Sequence, residues 1–243
     1  MGMDISLFEM LDGKQSSVEL VHQYRMNKEI MNLANKLTYS GKLQCMSDST
    51  ANSFIEINKQ FIESIKLEKI KKLFLEPMIF IDVTELLSLN ESTENQMTNQ
   101  IECEIVSYIC NLYKKYSECK SEDIGIIAPY NNQVKAIQTM FAHKSFFQEI
   151  EVNTVDQFQG RDKRMILMSF TKAQLKGEGK EFEILNDKRR LTVAVTRSKE
   201  KLIMIGCIKS LIRYAPLVEL IEIMKEKNLI IKIENINELK ELE

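Results

Sequence analysis

Residues 121–142 read SEDIGIIAPYNNQVKAIQTMFA, and the fold turns on this stretch. Ile124 to Ala128 is a short apolar run stopped by Pro129, the pattern of a strand buried on both faces. Residues 131–142 then place Val134, Ile137 and Phe141 at helical spacing, so a strand passes directly into a helix. Similar units lie on either side. Upstream, Met78 to Asp82 reads as a strand, and 94–116 as a helix with Ile101, Ile105, Tyr108 and Leu112 on one face. Downstream come strands at Glu149–Val152 and Met165–Phe170, a polar glycine-containing loop at 174–180, a helix over 187–198, a last buried strand at Leu202–Gly206 and a helix over 216–227. Near the start, residues 18–21 read as a short strand, and Asn27 caps a helix carrying Ile30, Met31, Ala34 and Leu37. Residues 46–76 show no steady period. Short apolar strands alternating with helices give an α/β fold, a mainly parallel sheet covered by helices on both faces. In such sheets ligands are expected at the carboxyl ends of the strands. The expected organisation is one domain over 1–230 and a polar, fraying tail over 231–243.

Composition narrows the function. With 8 glycines and 3 prolines in 243 residues, a turn-rich all-β fold is excluded. The net charge of -2 leaves no broad basic field, so any nucleic-acid contact must come from local clusters. Cysteines 45, 103, 110, 119 and 207 are scattered, form no C-x-x-C pair and have only two histidines to help them, so no metal site is expected. No apolar run is long enough to span a bilayer. Gly2 and Ser6 fit the short myristoylation template, which matches often by chance.

Four segments carry more polar chemistry than a core requires. Gln23-Tyr24-Arg25-Met26 joins a flat aromatic face to a planar fork of donors, which suits an adenine ring and a phosphate. Pro129-Tyr130-Asn131-Asn132-Gln133 sets amides at a helix N-terminus, where phosphates bind without sequence being read; alternatively Asn131 is only a helix cap. Residues 153–162, Asn-Thr-Val-Asp-Gln-Phe-Gln-Gly-Arg-Asp, crowd polar groups between two strands, with Gly160 permitting a tight turn. Residues 188–199 place Arg190 and Arg197 seven apart, on one face of the expected helix. An arginine among apolar neighbours needs an anionic partner, either a phosphate or an internal carboxylate.

In this order and at these spacings, the first, third and fourth segments resemble motifs IV, V and VI of superfamily 1 helicases, in the branch that also holds RNA-decay helicases. The stretches 23–45, 121–130 and 185–207 resemble the eukaryotic DNA replication helicase/nuclease group most. The resemblance implies a RecA-like three-layer fold of the P-loop NTPase type, as the second helicase lobe. It implies that Arg25 and Arg197 reach the γ-phosphate, Tyr24 stacks on adenine, Gln23 and Gly160 lie in the ATP site, and Asp162 faces the ribose. It assigns Pro129, Tyr130 and Asn131 to a DNA-backbone loop and Thr154, Asp156 and Gln159 to coupling between ATP and DNA. Arg190 is a further nucleic-acid candidate. ATP with Mg2+ is the implied cofactor, single-stranded DNA the implied partner, 5′-to-3′ unwinding the implied activity, and a nuclear setting, with a mitochondrial one as the alternative, the implied location. Thr192 and Ser198 depart from the Asn and Ala usual in motif VI.

The sequence contains no G-x-x-x-x-G-K-[ST] phosphate loop: Lys14, Lys42 and Lys180 follow glycines, but none completes the pattern. The expectation is a lobe that completes an ATP site held mainly by an upstream lobe and hydrolyses ATP negligibly alone. A non-catalytic binding lobe, or an RNA helicase lobe, is the competing reading.

Overall fold

A computed structural model of the chain describes residues 19–88, 98–142, 145–172 and 184–240. The Gly2 template and the 174–180 loop lie outside them. The first part holds β1 (His22–Gln23), α1 (Lys28–Ala34) continued by a π-helical turn (Asn35–Tyr39), β2 (Gln44–Cys45), and three short helices α2 (Asp48–Ala51), α3 (Lys59–Ser64) and α4 (Glu68–Leu75). Then follow β3 (Met78–Asp82), α5 (Thr84–Ser88), α6 (Gln100–Tyr116), β4 (Ile124–Ala128), α7 (Asn131–Phe141), β5 (Glu151–Thr154) and β6 (Lys163–Ser169). The last part holds α8 (Lys188–Val195), β7 (Ser198–Gly206), α9 (Ile208–Leu211), α10 (Ala215–Glu226), β8 (Ile230–Lys232) and α11 (Asn237–Lys240).

The main sheet has six strands in the order β5-β4-β6-β7-β3-β8, every pairing parallel. β3 and β4 are buried along their whole length, which is why they read as unbroken apolar runs rather than alternating ones. The three-layer α/β fold expected from the sequence is the fold observed.

Four local expectations change. The strand expected at 18–21 lies instead at His22–Gln23, pairs with β2 outside the main sheet, and leaves Leu20 85% exposed among the described residues. The unsteady 46–76 stretch is three short helices, two of them stopped and restarted by their own caps, Ser47 and Asn58. The helix expected over 187–198 ends at Val195, and β7 begins at Ser198, four residues before the expected strand. β-branched Val193, Val195 and Thr196 favour that early exit. The tail does not fray over its described length: β8 adds to β3, and Ile231, Ile233 and Leu239 are buried while Lys69 pairs with Glu238 at 2.7 Å. Its polar composition concealed a regular spacing of apolar residues.

The connection from β5 to β6, residues 155–162, crosses β4 without a helix. Phe158 is fully buried and takes the place a helix would fill. A Cβ on Gly125 of β4 would lie 2.6 Å from the Phe158 ring, so glycine there makes the crossing possible. Gly160 then turns the chain at φ +83.

A polar knot lies in the core between α6, α7 and the end of β6. Glu102 is fully buried and accepts from Ser169 Oγ at 2.5 Å, Thr171 N at 2.9 Å and Asn99 Nδ2 at 3.1 Å. Burial pushes its carboxyl up to about 8, against the opposing pull of the Ser169 and Thr171 hydrogen bonds. The folded state therefore holds a proton that the unfolded chain releases near pH 4.5. Between those values the folded state binds more protons, so stability is fully present below about 4.5 and falls as pH rises toward 8. Lys201, pushed down to about 7 by burial, adds a slope of opposite sign only above that pH. Urea unfolding at about pH 5 and pH 7 should show the wild-type chain losing more stability with rising pH than Glu102→Gln; parallel losses would refute this assignment.

Candidate functional site

The Gln23–Met26 loop is fixed by its own first side chain. Gln23 Oε1 accepts from Arg25 N at 2.9 Å and Met26 N at 2.7 Å, and its Nε2 donates to Met26 O at 2.7 Å. Gln23 thus shapes the loop. Asn27 anchors it: its backbone N donates to Lys199 O at 2.8 Å, its side chain donates to Glu200 O at 2.9 Å, and its Oδ1 caps α1 through Ile30 N at 3.1 Å. The loop is thereby set against the start of β7. Tyr24 projects outward, 70% exposed, with its ring face open to an incoming group.

This docking brings together residues far apart in sequence. Arg25 Nε meets Asp162 Oδ2 at 2.9 Å, and Lys199 Nζ meets Asp162 Oδ1 at 2.8 Å. Arg25 Nη1 donates to Thr196 O at 3.2 Å, while Arg197 Nη2 donates to Thr196 Oγ1 at 3.1 Å, so the two guanidinium groups converge on one residue. Arg197 also donates through Nε to Val193 O at 2.9 Å and through Nη1 to Arg161 O at 3.3 Å. Among the described residues its hydrogen-bond partners are neutral oxygens. Burial first, and then the charge of Arg25, push Arg197 below its ordinary value, with Asp162 and Tyr39 opposing. Burial alone would raise the Asp162 carboxyl, but the hydrogen bonds from Lys199 and Arg25 outweigh it and hold it below the usual range. Three cations and one carboxylate share the cluster, so it carries an excess of positive charge.

The cluster lies at the amino ends of β6 and β7, not at the carboxyl ends expected for a ligand of such a sheet. The physical reason is that β1 is outside the main sheet, and its loop docks wherever Asn27 finds Lys199 and Glu200. Arg197 is in the turn after α8 and so does not share a helical face with Arg190. Arg190 pairs with Asp156 at 3.0 Å, the internal carboxylate that the sequence left open as an alternative to phosphate.

Pro129, Tyr130, Asn131 and Thr154 sit at the opposite rim, past the carboxyl ends of β4 and β5. No side chain caps α7 at Tyr130, and Asn131 is exposed in the first turn, so Asn131 is not the cap. Lys172 Nζ lies 5.3 Å from the Tyr130 ring centroid. Thr154 O accepts from Phe158 N at 3.0 Å, and Asp156 O from Gln159 N at 3.3 Å, so residues 154–160 form one tight turn leading back to Asp162.

Both motif VI departures have structural partners. Thr192 Oγ1 lies 2.6 Å from Thr38 Oγ1, and Ser198, fully buried, donates to Lys201 O at 2.6 Å. Sequence reasoning did not assign Lys199, although it stands two residues from Arg197. Strand alternation could have found it, since burying Ser198 turns Lys199 toward the cluster. Among the described residues no group of three His, Cys, Asp or Glu could hold a metal, and no helix is long and apolar enough to cross a membrane.

A sequence model of the AAA domain family matches residues 3–209. The DNA replication ATP-dependent helicase/nuclease DNA2 of Bos taurus is 39% identical over 247 residues, covering 96% of this chain and 23% of the relative. That of Xenopus tropicalis is 40% identical over 239 residues, covering 94% and 22%. The helicase/nuclease JHS1 of Arabidopsis thaliana is 35% identical over 237 residues, covering 96% and 17%. The chain thus spans less than a quarter of the length of these relatives. By these matches it belongs to the AAA domain family and is similar to part of the DNA replication ATP-dependent helicase/nucleases.

Proposed function

We propose that this chain is the second lobe of an ATP-driven DNA helicase, closing Arg25 and Arg197 over the γ-phosphate of a nucleotide held by a lobe that carries a P-loop. The observation that carries this reading is Arg197: a half-buried guanidinium, fixed by three neutral acceptors and facing a second arginine, makes no direct ion pair among the described residues, and Asp162 beside it is already engaged by Arg25 and Lys199. A terminal phosphate supplies the opposite charge, and its bidentate geometry suits two guanidinium forks. ATP bound there supplies the reactive phosphoryl bond. The residues present fit its triphosphate end, Arg25 exchanging Asp162 for phosphate oxygen and Arg197 entering already oriented. Tyr24 offers the base a stacking face, and Gln23 and Gly160 hold the loops on either side. The cluster does not fit Mg2+, because both Asp162 oxygens are on cations; the metal's ligands belong to the P-loop lobe.

Single-stranded DNA is assigned to the other rim, with Pro129, Tyr130 and Asn131 against the backbone and Thr154, Asp156 and Gln159 leading from it toward Asp162. Arg190, held by Asp156, orients that turn rather than the phosphate. A nuclear setting follows the same reading.

Steady-state ATP hydrolysis with oligo(dT) tests the proposal. The isolated chain should turn over at background, and joining or mixing it with a P-loop lobe should restore DNA-stimulated turnover. Substantial turnover by the isolated chain, or none when the two lobes are combined, would refute it.

A further inference from the structure

The knot around Glu102 holds more than the core. Gln133, fully buried in the first turn of α7, donates to Ser169 Oγ at 2.9 Å and to Asn99 O at 3.1 Å, and its Oε1 accepts from Asn99 N at 2.7 Å. Ser169 Oγ in turn donates a hydrogen bond to Glu102, which accepts from Thr171 N as well. Thr171 is β-branched and sits at φ +69, a backbone conformation such residues rarely adopt and hold only when their surroundings impose it. Residues 129–132, immediately before Gln133, are therefore tied through two side chains to the exit of β6. Three buried polar residues, Asn99, Ser169 and Thr171, donate to one carboxyl group, and Gln133 joins them through Ser169 and Asn99, beneath the segment assigned above to DNA. A core needs no such group, because an apolar side chain of similar size would fill the space at less cost.

We infer that Glu102 is a positioning residue that locks the Pro129–Gln133 segment to the strained turn after β6 and so sets the nucleic-acid face of the lobe. The DNA part of this inference rests on the function proposed above; the lock itself does not. Removing the carboxyl frees Ser169 and Thr171 together, and the Gln133 anchor loosens with them. Glu102→Gln alone is insufficient: its oxygen still accepts from Ser169 and Thr171, but its amide nitrogen has no lone pair to accept from the Asn99 amide, whereas either carboxyl oxygen, protonated or not, has one. Exchanging Asn99 for aspartate restores an acceptor there, keeps the cap on the residue 102 N–H, and moves the carboxyl across the same contact.

The experiment uses the full chain and reads three quantities: amide hydrogen exchange, affinity for fluorescein-labelled oligo(dT), and affinity for inorganic pyrophosphate. In Glu102→Ala, exchange at 130–134 and 171 should rise about tenfold or more with that at 23–27 unchanged, and oligo(dT) affinity should fall about tenfold with pyrophosphate affinity unchanged. The double variant Asn99→Asp with Glu102→Gln should return both losses to within about threefold of wild type, where Glu102→Gln alone does not. Exchange rising evenly along the chain, or unchanged at 130–134, overturns the inference. A wild-type chain that ignores oligo(dT) sinks the DNA assignment, while the exchange pattern still decides the lock.

Discussion

Replacing Arg197 with alanine, in a protein that joins this chain to a P-loop lobe, is expected to slow DNA-stimulated ATP hydrolysis by roughly 10³-fold or more, the scale on which an arginine finger acts. Oligo(dT) affinity should change by less than about threefold, because the arginine is at the amino rim of the sheet and the DNA segment at the carboxyl rim. The size of the effect follows from preorganisation. Val193 O, Arg161 O and Thr196 Oγ1 fix the guanidinium before any nucleotide arrives, so little is spent on orienting it in the transition state. Arg197→Lys keeps the charge but not the three-way anchoring, and should recover little. Hydrolysis and DNA binding falling together would mean that Arg197 holds the fold rather than the phosphate.

Asp162→Asn is expected to act in the opposite direction on a simpler ligand. The amide keeps the shape of the side chain and removes the charge that engages Arg25 and Lys199 at 2.9 and 2.8 Å. Both cations are then available, and affinity for inorganic pyrophosphate should rise about tenfold at low salt, shrinking as salt increases. The pairs are about a third exposed, so solvent screening keeps the gain from being larger. Titrating ATP alongside pyrophosphate separates the acid's two roles. Weaker ATP binding with stronger pyrophosphate binding marks a ribose contact, and a gain for both marks a counter-ion only. Pyrophosphate bound no better than by wild type would remove Asp162 as the internal occupant of a phosphate site.

The fold was legible because fully buried parallel strands leave unbroken apolar runs such as Ile124–Ala128, bounded by proline. Arg25, Asp162 and Arg197 were legible through motif order. Their convergence was not, because it depends on Asn27 docking onto Lys199 and Glu200, a contact between segments more than 170 residues apart. The resemblance spoke of motif VI as one unit, which concealed the break between Val195 and Ser198 that frees Arg197 from the helix. Glu102 was invisible for a different reason. Within α6 it reads as one more polar residue of an amphipathic helix, and only the packing of β6 and α7 shows that it faces inward. The tail misled because composition averages over residues whose alternation carries the information.

The helix-free crossing between β5 and β6 has a mechanical corollary. An ordinary α/β connection winds through a helix that stretches or tilts before it transmits a push. Here a single hydrogen-bonded turn leads from one rim of the sheet to the other, seated on one glycine through one aromatic ring. We expect a shift imposed at Thr154 to reach Asp162 through this short connection rather than to be absorbed along the way.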